Sequence, residues 1–442
     1  MSFPQYADYK ESDVAWLGEI PRSWEVRRLG SLFRQVAEEG SEGLPILSVS
    51  IHHGVSDREF DDEELDRKVN RSDDRSKYRK VQPGDLVYNM MRAWQGGFGA
   101  VSVEGMVSPA YVVARPLSDM STRFIELLLR TPQAIVEMHR HSQGVTDFRL
   151  RLYWEEFKSI KILFPPLDEQ NAIVNFLDRE TAKIDALVAE QRRLIELLSE
   201  KRQAVISHAV TKGLDPNVKM KPSGIEWIGL LPEHWSTPPL FARYYAVLGK
   251  MVDEQKATGK YPIRYLRNAD VNWDSINTHD LPVIDIEPGE IERFTVSPGD
   301  LLICEGGAGI GQTAIWDGQP ARFAFQKALH RLRPWKANKE NPRFFYYCMR
   351  YVVETGFVLA GGTATIPHLT GEALRKYRFP TPPFKEQNQI VQFLDCETSR
   401  FDQLQSEAEQ VISLLQERRT AIISAAVTGK IDVREFACQE AS

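Results

Sequence analysis

A run of glycines after an acidic residue is the segment of this sequence whose composition most resembles a reactive site. Residues 305–311 read EGGAGIG and directly follow the apolar run at 301–304. An acidic residue and alternating glycines after a strand are typical of loops that hold S-adenosylmethionine. Such a loop opens a helix whose N-terminus faces the ligand. Here residues 317–320 read DGQP, a turn, so the helix is missing.

A second motif, TPPF at 381–384, is similar to the proline-proline-aromatic loop of adenine methyltransferases. Its counterpart in the first half of the chain, FPPL at 164–167, lacks the aromatic residue, and both motifs lead directly into a long helix. The two motifs make an adenine DNA methyltransferase that uses S-adenosylmethionine one candidate function for the chain. The missing helix and the missing aromatic residue argue against it.

The histidines and cysteines form no recognisable metal site or nucleophile motif. The pairs His52-His53 and His139-x-His141 have no matching acidic or cysteine pattern, and no serine or cysteine lies in a nucleophile-elbow sequence. The cysteines lie far apart without a CxxC pair, which predicts reduced thiols and no zinc site. They are Cys304, Cys348, Cys396 and Cys438.

Three sequence blocks occur twice, in the same order. WLGEIPRSW at 16–24 returns as WIGLLPEHW at 227–235, and PGDL at 83–86 returns at 298–301. PPLDEQNAIVNFLDRET at 165–181 returns as PPFKEQNQIVQFLDCET at 382–398. The chain is therefore an internal repeat whose copies differ by small insertions, which surface loops tolerate.

The composition is that of a globular protein with more than one core. The chain has 442 residues, of which 42% are hydrophobic and 26% charged. No signal peptide or membrane span is recognisable, so we expect a cytoplasmic location and no membrane contact. The net charge of −6 is unusual for a stand-alone DNA binder. If the chain binds DNA, some phosphate contacts are expected from a partner.

Each copy divides into a mixed globular part and a long helix. The globular parts contain strands after PG turns and later helical stretches, which indicates an α+β fold. Residues 168–212 and 385–428 contain neither glycine nor proline, and each stretch is followed closely by a glycine. We predict globular domains at 1–164 and 214–381, helices at 165–213 and 382–432, and a tail at 433–442.

Both predicted helices carry an apolar stripe at matching positions of the repeat. Burying these stripes against each other gives an antiparallel coiled coil that separates the two globular domains with pseudo-twofold symmetry. The competing interpretation is that each helix packs only on its own domain. The residues predicted to pack between the helices are Ile184, Leu187, Leu194, Leu197, Leu198 and Val205, with Phe401, Leu404, Val411, Leu414, Leu415 and Ile422.

With duplicated globular domains, helices that start at PPLDEQ and PPFKEQ, and the helix ends HAVTKGLD and AAVTGKID, the chain resembles the specificity subunit of type I restriction-modification systems. The stretches at 81–113 and 296–316 are similar to the target-recognition domains of that family. The resemblance covers nearly the whole sequence. A tandem duplication without a shared ligand and an adaptor that binds only proteins are the other interpretations.

This resemblance implies a non-catalytic subunit that binds double-stranded DNA. Each recognition domain would read one half of a split target, and the helices would set the spacing. Two methyltransferase subunits and two motor-nuclease subunits would complete the complex. The resemblance also implies no cofactor in this chain, with S-adenosylmethionine, ATP and Mg on the partner subunits.

Base reading requires polar side chains on loops that reach a groove. In each half we expect such loops after a central strand and before the long helix, and their sequences differ enough to predict an asymmetric target. The predicted DNA-contacting residues of the first half are Tyr88, Asn89, Arg92, Trp94, Gln95, Arg149 and Arg151. Those of the second half are Arg264, Arg267, Asn268, Gln326, Lys327, His330, Arg331, Thr363 and Thr365.

Overall fold

The two stretches without glycine and proline form the two long helices of the molecule. In the computed structural model, the first helix spans Leu167–Lys212 with 46 residues, and the second spans Phe384–Val427 with 44. Each is followed by a glycine in the left-handed region, Gly213 with φ 76° and Gly429 with φ 71°. Glycine adopts this conformation without a steric penalty and so ends helices. The observed ends lie within one residue of the glycine- and proline-free stretches 168–212 and 385–428, whereas the predicted helix segment 382–432 extends five residues beyond the end of the second helix.

The structure describes residues 3–51, 54–58, 75–144, 150–252, 259–318, 322–356 and 369–436. The chain divides into two compact units, each built from a globular part and a segment of both long helices. Unit 1 comprises Met1–Gln191 and Glu409–Ser442, and unit 2 comprises Arg192–Ala408. Because this division cuts through the helices, the predicted domain boundaries remain a prediction. Among the described residues, no helix is both long and apolar enough to cross a membrane.

Unit 1 is built on a four-stranded antiparallel sheet with the order β4-β11-β8-β9. Phe124 and Phe157, from two short helices, share a buried cluster with Leu86 of the central strand. The elements are β1 (Tyr9–Glu11), β2 (Glu19–Pro21), β3 (Glu25–Arg28), α1 (Leu29–Leu32), β4 (Phe33–Val36), β5 (Val49–Ser50), β6 (Gly54–Val55), β7 (Arg79–Val81), β8 (Leu86–Asn89), β9 (Phe98–Ala100), β10 (Gly105–Val107), β11 (Tyr111–Pro116), α2 (Thr122–Leu129), α3 (Pro132–His141), α4 (Trp154–Ser159), β12 (Lys161–Phe164) and the long helix α5 (Leu167–Lys212).

Unit 2 repeats this sheet with the order β15-β23-β20-β21. A second sheet, β19-β16-β22, includes a parallel pairing between β16 and β22. The elements are β13 (Met220–Pro222), β14 (Leu230–Pro232), β15 (Tyr244–Leu248), β16 (Pro262–Leu266), β17 (Val271–Asn272), β18 (Ser275–Ile276), β19 (Val283–Asp285), α6 (Ile291–Phe294), β20 (Leu301–Cys304), β21 (Thr313–Ile315), β22 (Ala324–Phe325), β23 (Leu329–Pro334), α7 (Pro342–Glu354), α8 (Gly371–Lys376) and the long helix α9 (Phe384–Val427). The predicted α+β class with an internal repeat is confirmed.

The helix segments of unit 1 run antiparallel. Ile173, near the start of α5, is buried in the same cluster as Val427, at the end of α9. Further along α5, Asp185 accepts a hydrogen bond from Nε of Arg419 at 3.1 Å. Residue numbers therefore rise along α5 while those of the contacting segment of α9 fall.

Unit 2 shows the same arrangement of its own helix segments. Val210, near the end of α5, shares a buried cluster with Ile390, near the start of α9. Arg202 donates from Nη1 to Asp402 at 2.6 Å. Arg202 and Arg419 are equivalent in the repeat, as are Asp402 and Asp185, so the same ion pair forms once in each unit. The predicted antiparallel pairing is confirmed in both.

The packed seam of the long helices differs in phase from the predicted one. Along α5 the covered side chains recur at alternating spacings of four and three, as at Ile184, Val188, Gln191, Ile195 and Leu198. This is the spacing of a coiled-coil seam. Of the residues predicted to pack, Ile184, Leu198, Phe401 and Ile422 are buried, and Val205 and Leu415 are half-buried.

For the remaining predicted packing residues the prediction is wrong. The exposed fractions of Leu187, Leu194 and Leu197 are 45%, 42% and 45%, and those of Leu404, Val411 and Leu414 are 37%, 40% and 63%. The physical reason is that each helix carries more apolar residues than one seam can hold. Most of the excess lies three residues after a seam position, on the flank of the pair.

The duplicated blocks form the joints between the globular parts and the helices. In unit 1, Nε1 of the buried Trp24 donates to Glu169 at 2.9 Å. In unit 2, Nε1 of Trp235 donates to Glu386 at 3.1 Å. The tryptophans belong to the first duplicated block and the glutamates to the third. The two blocks therefore contact each other in both units, which explains why both are repeated.

The glutamine after each of these glutamates completes the joint. Gln170 accepts the backbone N–H of Ser121 at 2.8 Å and donates to the carbonyl of Pro165 at 2.8 Å. Gln387 accepts the N–H of Asn341 at 2.8 Å in the same way. Ser121 and Asn341 are the N-cap residues of α2 and α7. Each glutamine therefore attaches the start of this helix, α2 in unit 1 and α7 in unit 2, to the long helix.

The duplicated PGDL motif is also architectural. Asp85 pairs with Nε of Arg115 at 2.9 Å, and Asp300 pairs with Nη2 of Arg333 at 2.7 Å. Both aspartates are almost fully buried, and the arginines lie on the adjacent strands β11 and β23. A buried carboxylate requires such a partner, so this motif fixes the turn that precedes the central strand.

Candidate nucleic-acid interface

Two of the predicted loops of unit 1 come together at one end of its sheet. The loop after β8 contains Met90, whose carbonyl accepts the N–H of Leu152 at 2.9 Å. Just before Leu152, the backbones of Gln143 and Arg151 exchange two hydrogen bonds, both 2.9 Å long. Arg149 lies outside the described residues. The loop after the central strand and the base of the loop before the long helix thus form one surface.

The loop after β8 presents several polar side chains to solvent. Gln95 is exposed, Arg92 is half-buried, and Nη1 of Arg92 donates to Oε1 of Gln95 at 3.2 Å. Asn89, also half-buried, uses its Oδ1 to accept the N–H of Met91 at 2.9 Å. Arg151 on the neighbouring segment is exposed. The arrangement offers hydrogen-bond donors and acceptors of the kind that read base edges.

Tyr88 does not belong to this surface. It is fully buried, with its ring 4.6 Å from that of Phe157 and 5.5 Å from that of Phe98. Burial raises the pKa of its hydroxyl. The prediction that Tyr88 contacts DNA is wrong, because the residue lies within strand β8 and points into the core. Trp94 is half-buried, and its ring meets that of His139 edge-on at 5.7 Å.

In unit 2, predicted residues from separate parts of the sequence also meet at one end of the sheet. The backbone N–H of Gln326 donates to the carbonyl of Leu266 at 3.0 Å. Nδ2 of Asn268 donates to the carbonyl of Gly306 at 3.0 Å. These bonds place the end of β16, the glycine run and the turn before β23 side by side.

The charged residues of this surface have different environments. Lys327 is exposed, whereas Arg267 is held by Asp270, to which its Nε donates at 2.8 Å. Arg264 is exposed on β16, where it pairs with Val283 of β19. Lys250, which the sequence analysis missed, joins the surface because its carbonyl accepts the N–H of Lys327 at 3.0 Å. The sequence signal that could have identified Lys250 is its position directly after strand β15 and Gly249.

His330 and Arg331 are corrections to the predicted site. Both are almost fully buried, since β23 begins at Leu329 and lies between two other strands. Nη1 of Arg331 donates to the carbonyl of Thr295 at 2.6 Å, and Nε2 of His330 contacts the carbonyl of Leu369 at 2.8 Å. Burial lowers the pKa of both side chains. Neither is available to DNA. Thr363 and Thr365 lie outside the described residues.

Both motifs that resemble methyltransferase loops are part of the framework of unit 2: one forms a turn between strands, and the other pairs with a neighbouring segment before α9. The glycine run forms a short turn at Gly307–Gly309, and strand β21 follows it directly. The helix N-terminus on which a cofactor loop depends does not follow this run. In the other motif, Thr381 exchanges backbone hydrogen bonds with Ser236 at 2.8 and 3.4 Å, just before α9.

The described part of the chain contains no group of three or more histidines, cysteines, aspartates or glutamates that could hold a metal ion. Cys304 and Cys348 are buried, and burial raises the pKa of each thiol to about 12. At neutral pH these thiols are therefore protonated and unreactive. His52, His53 and Cys438 lie outside the described residues.

Comparison with known proteins places this geometry in context. Residues 21–197 and 249–413 match the family described as the type I restriction modification DNA specificity domain. The chain is 24% identical to the MjaX specificity subunit assigned to a type I restriction enzyme of Methanocaldococcus jannaschii, over 98% of this chain and 99% of that protein.

Two solved structures share the fold. One, from a study of complex assembly and conformational transition of the type I R-M system, has a TM-score of 0.69 at 16% identity and covers 92% of this chain and 98% of its own. The other, the HsdS subunit from Thermoanaerobacter tengcongensis, has a TM-score of 0.59 at 17% identity and covers 93% of this chain and 98% of its own.

Proposed function

Because the chain belongs to the type I restriction modification DNA specificity family, we propose that it is the subunit that reads the DNA target and performs no catalysis itself. The observation that carries this proposal is that each unit assembles a polar loop surface at the same end of a duplicated sheet. In unit 1 the surface contains Arg92, Gln95 and Arg151; in unit 2 it contains Asn268 and Lys327. Residues of these types can contact base edges and phosphates.

The two surfaces present different side chains after their central strands. Unit 1 uses arginine and glutamine side chains after β8, whereas unit 2 has the glycine run at 305–311 in the equivalent place after β20. Each unit therefore reads a different half of an asymmetric, bipartite target in double-stranded DNA.

The long helices set the distance between the half-sites. Helix α5 has 46 residues, which corresponds to about 69 Å at 1.5 Å per residue. Residues 167–191 of this helix belong to unit 1 and 192–212 to unit 2. Because one continuous helix is part of both units, its length determines how many base pairs separate the half-sites. In a repressor dimer the distance between the two recognition helices determines the half-site spacing in the same way.

The exposed apolar residues of the helices support docking of the methyltransferase. On α5 these are Leu187, Leu194 and Leu197, and on α9 their repeat equivalents are Leu404, Val411 and Leu414. A helix whose apolar face is wider than one seam is typical of bundles with more than two helices. Because the same positions are exposed in both copies, the partner binds twice, as two methyltransferase subunits would.

The remaining components belong to the partners in this proposal. The methyltransferase subunits bring S-adenosylmethionine, and two motor-nuclease subunits bring ATP and Mg to the complete complex. The glycine run lacks the helix that a cofactor loop needs, which supports placing the cofactor on a partner. Such an assembly acts on chromosomal and incoming DNA, so its location is the cytoplasm.

Reconstitution tests this function. The purified chain, given S-adenosylmethionine and duplex DNA, should transfer no methyl group, whereas the chain with its methyltransferase should methylate adenine within a bipartite sequence. Binding by the complex should weaken steeply as salt is raised, because phosphate contacts release counterions. Methyl transfer by the chain alone would overturn the non-catalytic assignment, and a complex without DNA affinity would overturn the reading function.

A further inference from the structure

The polar loop after β8 has an apolar residue at its tip. Met91 leaves 45% of its surface exposed, although its neighbours in the loop include Arg92 and Gln95. A methionine side chain gains nothing from water and is stabilised by burial against an apolar surface. Met91 belongs to the surface proposed to face DNA, so bound DNA could cover its side chain.

The backbone of this tip is held in place on both sides. The N–H of Met91 donates to Oδ1 of Asn89 at 2.9 Å, and the carbonyl of Met91 accepts Nε1 of Trp94 at 3.0 Å. The preceding carbonyl, of Met90, accepts the N–H of Leu152 at 2.9 Å. Both main-chain polar groups of Met91 are therefore occupied, and its side chain projects from a fixed point.

Basic residues lie within the loop and on the segments that contact it. Arg92 follows it directly, and Arg151 is exposed next to Leu152, which binds the loop. His139 contacts the ring of Trp94, whose indole N–H binds the carbonyl of Met91. Such a rim can contact phosphates on either side of an inserted group. An apolar wedge between phosphate-contacting residues is the arrangement by which proteins separate stacked base pairs.

We propose that Met91 inserts between neighbouring base pairs of the half-site read by unit 1 and unstacks them. The inference rests on the proposed reading function and adds to it a physical step, since the energy of unstacking depends on the base step that is opened. Met91 then contributes to specificity without a hydrogen bond to a base.

Unit 2 supplies an internal comparison. There the carbonyl of Glu305 accepts the N–H of Leu369 at 2.7 Å, as that of Met90 accepts the N–H of Leu152 in unit 1. The residue after Glu305 is Gly306, which has no side chain to insert. Unstacking of this kind is therefore expected in one half-site and not in the other.

Fluorescence of 2-aminopurine in the intact complex tests the proposal. The base is placed in turn at each purine position of both half-sites except the methylated adenines, and the complex of the chain with its methyltransferase is added. We expect an increase at one step of the half-site read by unit 1 and none in the other half-site. The increase should fall at least about fivefold in M91Q, which keeps the length of the side chain, and in M91A, but persist in M91L.

Leu117 provides the control. It is 54% exposed in the same unit but lies beyond the far end of β11, whose first residue, Tyr111, pairs with Asn89 beside the loop. The L117Q complex should give the wild-type increase. Undiminished fluorescence in M91Q and M91A, or an equal increase in both half-sites, would overturn the wedge. Absence of DNA binding by the wild-type complex would instead contradict the reading function, so the two failures are distinguishable.

Discussion

Individual residue types predicted the reading surfaces only in part. Arg92, Gln95 and Lys327 lie on accessible loops as expected, but His330 and Arg331 are buried in the sheet. The sequence gives residue types near a turn, whereas the start of a strand and the direction of each side chain depend on cross-strand pairing. Contacts such as that between Asn268 and Gly306 join segments 38 residues apart. No local pattern contains that information.

The burial of His330 leads to a pH dependence of stability. Its ordinary pKa is near 6.5, and burial lowers the pKa in the folded protein, while the hydrogen bond to Leu369 and the charge of Glu305 oppose this shift and Arg375 adds to it. Below about pH 6.5 the unfolded chain therefore binds a proton that the folded chain does not, so the free energy of unfolding should fall as the pH decreases towards the folded pKa.

The H330Q variant should lose this part of the pH dependence, since glutamine can still donate to the carbonyl of Leu369. Denaturant unfolding of both proteins at pH 8 and pH 5.5 measures the difference. An identical loss of stability in the two proteins would contradict the role of His330.

The fully buried Gln170 should be important for stability. Q170A would leave the N–H of Ser121 and the carbonyl of Pro165 without their partner and should lower the free energy of unfolding by about 2–4 kcal/mol. Q416A, at an exposed position of α9, is the control and should change it by less than about 0.5 kcal/mol. An equal loss of thermal stability in Q170A and Q416A would contradict the stabilising role of Gln170.

At the level of elements, the long helices were the most predictable part of the fold. Their ends follow from prolines and glycines, and their amphipathic pattern extends over many turns. The phase of the seam was not predictable, because leucine occupies both the seam and its flank. A seam position such as Leu198 and a flank position such as Leu194 look alike in sequence, and only packing distinguishes them.

The flank residues give a prediction about assembly. L194D should leave the folding of the chain unchanged, since the side chain is 42% exposed, but should weaken binding of one of the two methyltransferase subunits at least about tenfold. L230D, at a 51% exposed leucine of the same unit, is the matched control and should bind normally. Titration of the methyltransferase into each variant measures this. Wild-type affinity of L194D would remove the support for docking on this flank.

For the whole molecule, the described segments nearest the two termini, 3–9 and 429–436, contact each other within unit 1. The N–H of Asp432 donates to the carbonyl of Pro4 at 2.8 Å, and the hydroxyl of Tyr9 donates to the carbonyl of Gly429 at 3.0 Å. The rings of Phe3 and Phe436 are 5.6 Å apart. The repeat could be recognised from the sequence, but this closure could not, because the terminal segments have no similarity to each other.

The contact between the two terminal segments predicts that the chain tolerates circular permutation. A short linker joins the original ends, and new ends are opened at the exposed Pro216-Asn217, which lies between α5 and β13. The permutant should fold with an unfolding midpoint close to that of the wild type and should support methylation of the same target. An unfolded product, or methylation of a different sequence, would show that the original order of the chain is needed.

The division of reading between the two units is the central claim, and genome-wide mapping of methylated adenines tests it most directly. The map is recorded for cells that carry the wild-type chain and for cells in which residues 1–164 are replaced by the equivalent domain of a relative. We expect one half of the bipartite target to change while the other half and the spacer stay the same. A change in both halves, or in neither, would contradict the account.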